Sequence, residues 1–120
     1  MENKKPILCL DFDGVCHSYT SGWKGADVIP DLPVPDLIHF IVEANQYFDI
    51  QIFSSRSNLP GGLQAMKDWF EYHFPHSTEI LSFPTSKPAA FIGIDDRVLT
   101  LNGVFPNIEI LRNFKAWNKK

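Results

Sequence analysis

Apolar residues along the chain fall into short runs separated by polar, glycine- and proline-bearing stretches, and several runs stop at a chemically loaded position. Ile7-Leu8-Cys9-Leu10 leaves no polar face, which predicts a short buried strand, and Asp11 begins where it ends. A long loop, 16–33, carries Gly22, Trp23, Lys24, Gly25, Asp27 and Pro30, and its length points to a functional segment rather than a plain connection. Pro35 and Asp36 stand where a helix should start, with Leu37, Ile38, Ile41, Val42 and Phe40 as its buried side through about Tyr47. Ile50-Gln51-Ile52-Phe53 predicts a second strand, which ends at Ser54-Ser55-Arg56.

Pro60-Gly61-Gly62 leads into a second predicted helix, 63–74, with Leu63, Met66, Trp69, Phe70 and Phe74 on one face and Pro75 as its stop. Residues 79–83 predict a third strand, and 89–94 a fourth, buried one that ends at Asp95-Asp96-Arg97. Around Asn102-Gly103, the segments 98–101 and 104–105 predict a hairpin, because Asn-Gly suits the tight turns that join paired strands. Residues 108–111 predict a last strand, leaving Phe114, Lys115, Trp117, Lys119 and Lys120 in a tail. Strands that alternate with helices argue for an α/β fold: a compact Rossmann-like domain whose parallel sheet is joined by right-handed crossovers.

Composition narrows this picture without redirecting it. At 120 residues the chain reads as one domain, 1–120, with room for a core but none for a sizeable second unit. A formal net charge of −3 gives no general pull toward nucleic acid or membrane, and no apolar run approaches the length of a membrane span. Cys9 and Cys16, without paired Cys/His spacing or a signal peptide, read as reduced thiols of a cytoplasmic protein.

The candidate chemistry sits at the strand ends. Asp11 and Asp13 flank Phe12 just before Gly14, which lets the chain turn away and leaves two repelling carboxylates facing a crevice. A hard cation with oxygen ligands relieves that repulsion, which points to Mg²⁺. A calcium-binding loop is excluded, since Val15 and Cys16 occupy places where it needs a ligand and a glycine. The C-terminal rim of the sheet, where open α/β sheets bind ligands, would collect Asp11, Asp13, Ser54, Lys87, Asp95 and Asp96. Acids for a cation, with a hydroxyl and an ammonium for a phosphate, are the parts of metal-assisted phosphoryl transfer.

In this order the residues resemble the haloacid dehalogenase superfamily of phosphatases and phosphotransferases. Asp11-Phe12-Asp13-Gly14-Val15 is similar to its first motif, Ser54 to its second, Lys87 to its third and Asp95-Asp96 to its fourth, over residues 7 to 97. The resemblance implies that Asp11 attacks phosphorus to form an aspartyl-phosphate, while Asp13 protonates the leaving oxygen and then deprotonates water. It implies that Ser54 donates to a phosphoryl oxygen and that Lys87 offsets charge on nucleophile and phosphate. It also implies an Mg²⁺ site from Asp11, the backbone carbonyl of Asp13, Asp95 and Asp96, with the division between the last two left open. Ser54 is preferred to Ser55 because a hydroxyl residue followed by x-Arg is similar to the second motif.

The same resemblance bears on the substrate, a phosphomonoester of unspecified identity. Many members carry an inserted cap domain; here about 40 residues separate the first two motifs and no cap fits, so the site would serve a bulky phosphomonoester or borrow a lid from a partner subunit. Ser54-x-Arg56 and Ile94-Asp95-Asp96-Arg97 resemble motifs of the phosphatase domain of phage-type polynucleotide kinases. The acidic chain lacks a basic stripe, so nucleic-acid ends are the less favoured substrate, with nucleotides and phosphoproteins open. A phosphotransferase using the same residues and a non-catalytic binding protein of the same fold are the competing classes. Of the remaining residues, His17 reads as a surface-loop histidine or a substrate contact, His39, His73 and His76 as helix-surface residues. Trp23 with Lys24 reads as a lid or a loop aromatic folded onto its own core, and Arg56 and Arg97 as phosphate ligands or structural ion pairs.

Overall fold

The computed structural model describes residues 4–118 and contains the strands β1 (Ile7–Leu10), β2 (Asp49–Ile52), β3 (Leu81–Ser82) and β4 (Ile92–Ile94). They form one all-parallel sheet in the order β3-β2-β1-β4, as the alternation of elements predicts. Helix α1 (Leu37–Ala44) connects β1 to β2, and α2 (Gly62–His73) connects β2 to β3. Because both connections step in the same direction, right-handed crossovers place both helices on one face of the sheet. Leu8, Leu10, Ile50, Ile52 and Leu81 point to that face and pack with Leu37, Ile41, Met66, Trp69 and Phe70 in one core. Of the side predicted for the first helix, Leu37 and Ile41 are buried while Ile38, Phe40 and Val42 are exposed, since α1 touches the sheet along a single narrow stripe.

From β3 the chain must return past β2 and β1 to reach β4, and residues 83–91 do so without a helix. This corrects the expectation of a buried fourth strand: Ile92 and Ile94 pair with β1 at the sheet edge but stand 51% and 41% exposed, because neither main helix extends over them. The predicted hairpin is also absent among the described residues. Residues 98–105 pair with no strand, and 108–111 belong to a short helix, α3 (Ile108–Arg112), whose start is capped by the Asn107 side chain accepting from the Glu109 amide. No residue of α3 is buried, and Phe91, Val104, Phe105 and Ile108 are largely exposed.

Past α3 the chain turns back. Ala116 is buried, the Trp117 indole N–H donates to the Gly14 carbonyl at 2.7 Å, and Asn118 Nδ2 donates to the Ser18 carbonyl at 2.8 Å. Lys119 and Lys120 lie outside the described residues. Among the described residues no helix is long and apolar enough to cross a membrane.

Candidate active site

Asp11 is held in place by the sheet itself. Its amide donates to the Ile94 carbonyl at 3.0 Å, extending the β1–β4 pairing by one residue, and the Phe53 amide donates to the Leu10 carbonyl at 3.1 Å on the other side. The end of β1 is therefore clamped between two neighbours, and the residue after β4, Asp95, lies beside Asp11. Carboxylate oxygens of Asp11, Asp95 and Asp96 come within 4.8 Å of one another. Burial and the neighbouring Asp95 charge push the Asp11 carboxyl up to about 7, and burial raises Asp96 as well. A hard divalent cation would relieve the crowding of these carboxylates; the all-oxygen donor set fits Mg²⁺ or a similar ion.

Gly14 is the residue that lets Asp96 approach. Its φ is +85°, and a β-carbon there would collide with the Asp96 carboxylate. Gly14→Ala is expected to cost about 1–2 kcal/mol in backbone strain. By driving Asp96 out of the cluster it should also weaken divalent-ion binding; isothermal titration of Mg²⁺ into the variant would measure the loss.

Asp13 stands outside the three-acid cluster. Its carboxylate is gripped by Arg56, whose Nε donates to Oδ2 at 2.9 Å and Oδ1 at 3.2 Å, and by His17, whose Nδ1 lies 2.9 Å from Oδ1. The Asp31 amide donates to His17 Nε2 at 3.0 Å, which makes that nitrogen the acceptor and puts the imidazole proton on Nδ1, toward Asp13. His17 is fully buried against Phe12 and Trp69, not at the surface as its loop position suggests. The sequence signal for this was weak: a histidine four residues after an acid, in a loop.

Arg56 is likewise buried, and of its two sequence readings the structure shows the ion pair. Beyond Asp13, its Nη1 donates to the carbonyls of Gly25, Ala26 and Val28, at 2.7, 2.8 and 3.3 Å, while Nη2 has no partner. Its guanidinium lies 4.6 Å from the centre of the Trp23 ring. One side chain thus fastens the long loop to the turn after β2. That turn, Ser55–Asn58, is 3-10 helical, and its start is locked reciprocally: Ser54 Oγ accepts from the Arg56 amide and the Ser54 amide donates to Ser57 Oγ, each at 3.1 Å. Gly62, the first residue of α2, presses on the Arg56 carbonyl where no larger residue fits. The Gly-Gly pair that reads as a helix entry is therefore also a close contact that seats Arg56.

Two cavities open on Asp11. A smaller one, about 180 Å³, is walled by Asp11, Asp13, Trp23, Ser54, Asp96 and Arg97, with Asn118 from the tail. A larger one, about 770 Å³, lies over the sheet face that no helix covers and is bordered by Asp11, Ser54, Lys87 and Asp95 with Cys9 and Phe53. Ser54 and Ser55 border both. Asp13 and Lys87 accordingly meet Asp11 from different sides. Because Ser54 Oγ accepts the Arg56 amide, its own hydrogen is left to donate. The Asp95 carboxylate also accepts from the Arg97 amide at 2.9 Å, which fixes the turn after β4. Cys9 and Cys16 are unpaired and buried, and burial raises both thiol pKa values, so neither is a nucleophile candidate. No protein-family model, curated protein or solved structure matches this chain.

Proposed function

We propose that the chain is a Mg²⁺-dependent phosphomonoester hydrolase of the haloacid dehalogenase type, uncapped and Rossmann-like, working through an aspartyl-phosphate. The observation that carries this reading is the convergence of Asp11, Asp95 and Asp96 at the C-terminal ends of adjacent parallel strands, with Ser54 and Lys87 bordering the cavity beside them. Asp11, Asp95 and Asp96 would hold the ion, with the Asp13 backbone carbonyl as a further ligand; when bound, it would screen the charge of the phosphate and allow Asp11 to be ionised near neutral pH. A carboxylate oxygen of Asp11 bonds to phosphorus as the bond to the leaving oxygen breaks. Ser54 donates to a phosphoryl oxygen, and Lys87 offsets negative charge from the side of the larger cavity.

Asp13 supplies the proton and takes one back. Of its two oxygens, Oδ1 receives both Arg56 and His17, whereas Oδ2 has Arg56 Nε alone, which leaves Oδ2 the more room for the proton exchange. Water then attacks the acyl-phosphate, gives its proton to Asp13, and leaves free phosphate and Asp11. Asp13→Asn is expected to lower turnover of sugar phosphates far more than that of nitrophenyl phosphate, whose leaving group needs no proton. Equal losses on both would assign Asp13 a structural role. Two unpaired buried thiols support a reducing, cytoplasmic setting.

The deciding experiment is turnover of a phosphomonoester panel with titrated Mg²⁺. Activity should vanish in chelator, and Asp95→Ala should need about tenfold or more Mg²⁺ for half-maximal rate, in keeping with the loss of a metal-site group. Mg²⁺ should also raise the melting temperature without any substrate, by binding the folded state alone. Full activity in chelator would overturn the reading.

A further inference from the structure

We propose that the leaving group of the substrate is a nucleoside whose base stacks on the outward face of Trp23, which makes the substrate class a nucleoside monophosphate; this rests on the phosphatase reading above. Trp23 lines the smaller cavity beside Asp11 and Asp13, yet 47% of it is exposed. Its exposed half, at the mouth of an acidic site, is apolar surface that a ligand's ring could cover. The indole is held in place, because its inner face rests on the Arg56 guanidinium, and Arg56 is itself fixed by Asp13 and three loop carbonyls. A cation beneath one face draws electron density from the ring, so the outer face suits a neutral π-system better than a second cation. A rigid aromatic platform beside a phosphate site is the arrangement that stacks a base.

A second observation narrows the class. Asn118, brought to the cavity by the returning tail, spends its Nδ2 on the Ser18 carbonyl, while its Oδ1 is buried without a partner. An orphaned acceptor calls for an N–H or O–H donor. A nucleoside offers both, from the base and from the ribose; a phenyl group offers neither, and a phosphoserine side chain has no ring to stack. The acids around the cavity and the net charge of −3 disfavour di- and triphosphates and nucleic-acid polymers, leaving a single phosphate.

The test compares kcat/KM for nucleoside 5′- and 3′-monophosphates with that for ribose 5-phosphate and phenyl phosphate. The wild type should prefer a nucleotide. Trp23→Ala should lower the ratio of nucleotide to ribose 5-phosphate about 10- to 100-fold, the span set by base stacking, and Trp23→Phe should keep most of it. Asn118→Leu should lower the ratio of nucleotide to phenyl phosphate. A wild type that uses ribose 5-phosphate as well as any nucleotide, or an unchanged ratio in Trp23→Ala, overturns the proposal. The binding arm uses Asp11→Asn protein and adenosine 5′-monophosphate, reading tryptophan fluorescence with and without the added Trp23→Phe change. Saturable quenching that requires Trp23 and is not produced by ribose 5-phosphate supports the subsite, and its absence overturns it. If no phosphomonoester is hydrolysed, the hydrolase reading falls, and the quenching experiment still decides the subsite.

Discussion

Asp11→Asn is expected to abolish turnover and, in the same protein, to raise the melting temperature of the metal-free fold. The amide is nearly isosteric with the carboxyl but is a poor nucleophile and carries no charge for a cation, so kcat should drop to background. The stability effect has the opposite sign. Folding raises the Asp11 carboxyl from 3.8 to about 7, chiefly through burial and then through Asp95. Between those values the native state binds more protons than the unfolded state, so stability falls as pH rises from about 4, and the whole penalty is present above about 7. A shift of this size corresponds to about 4 kcal/mol at most. The Asn variant escapes that penalty. In chelator at pH 8 it should melt several degrees above the wild type, and the difference should close toward pH 4. A variant no more stable at pH 8 would mean that Asp11 is well solvated and the acid cluster loose. Added Mg²⁺ should shrink the gap by stabilising the wild type.

Arg56→Met should be the most destabilising single change in the site. Removing the guanidinium leaves the Asp13 carboxylate half-buried with only His17 beside it, strips the carbonyls of Ala26 and Val28 of the Arg56 donor and leaves that of Gly25 with the Val28 amide alone, and removes the support under Trp23. Breaking a buried pair by deleting one partner costs about 3–5 kcal/mol. Against a total of about 5–15 kcal/mol for a small domain, the variant should fold at low temperature and melt more than about ten degrees lower. Thermal unfolding would measure this directly. Arg56→Lys should recover little, because an ammonium cannot span a carboxylate and three carbonyls at once. Adding Asp13→Asn to Arg56→Met should restore part of the loss, since the stranded charge is gone; strict additivity would show that the two do not interact. Turnover should fall with Arg56→Met even where the protein is folded, because Asp13 loses the partner that aims it, and the fall should follow the leaving group as for Asp13→Asn.

Local patterning sets the sheet's main ladder and places the acids at its end. The apolar run at 7–10 and the alternating Ile-Gln-Ile-Phe at 50–53 both favour strands, and the amphipathic segments after them must lie on the sheet, so Asp11 at the first strand's end is legible from local pattern alone. The pattern at 92–94 reads as buried for the same reason, yet it is exposed, because burial depends on whether another element covers it. The chain returns from β3 without a helix, and no local signal records that. Asn102-Gly103 signals a turn, but a hairpin also needs two flanking strands with a face to bury, and the loop residues here have no sheet to join.

The site's acids were readable because they follow strands, whereas its supports were not. Arg56, His17, Trp23 and Asn118 come from three stretches distant in sequence, and each acquires its role from a partner elsewhere: Arg56 from Asp13 and the long loop, His17 from Asp13 and Asp31, Asn118 from Ser18. A one-dimensional pattern gives the residue type and the element it sits in. Which buried charge meets which is decided when the loop and the tail fold back over the sheet, since the cost of an unpaired charge can be met only by a partner that tertiary structure brings.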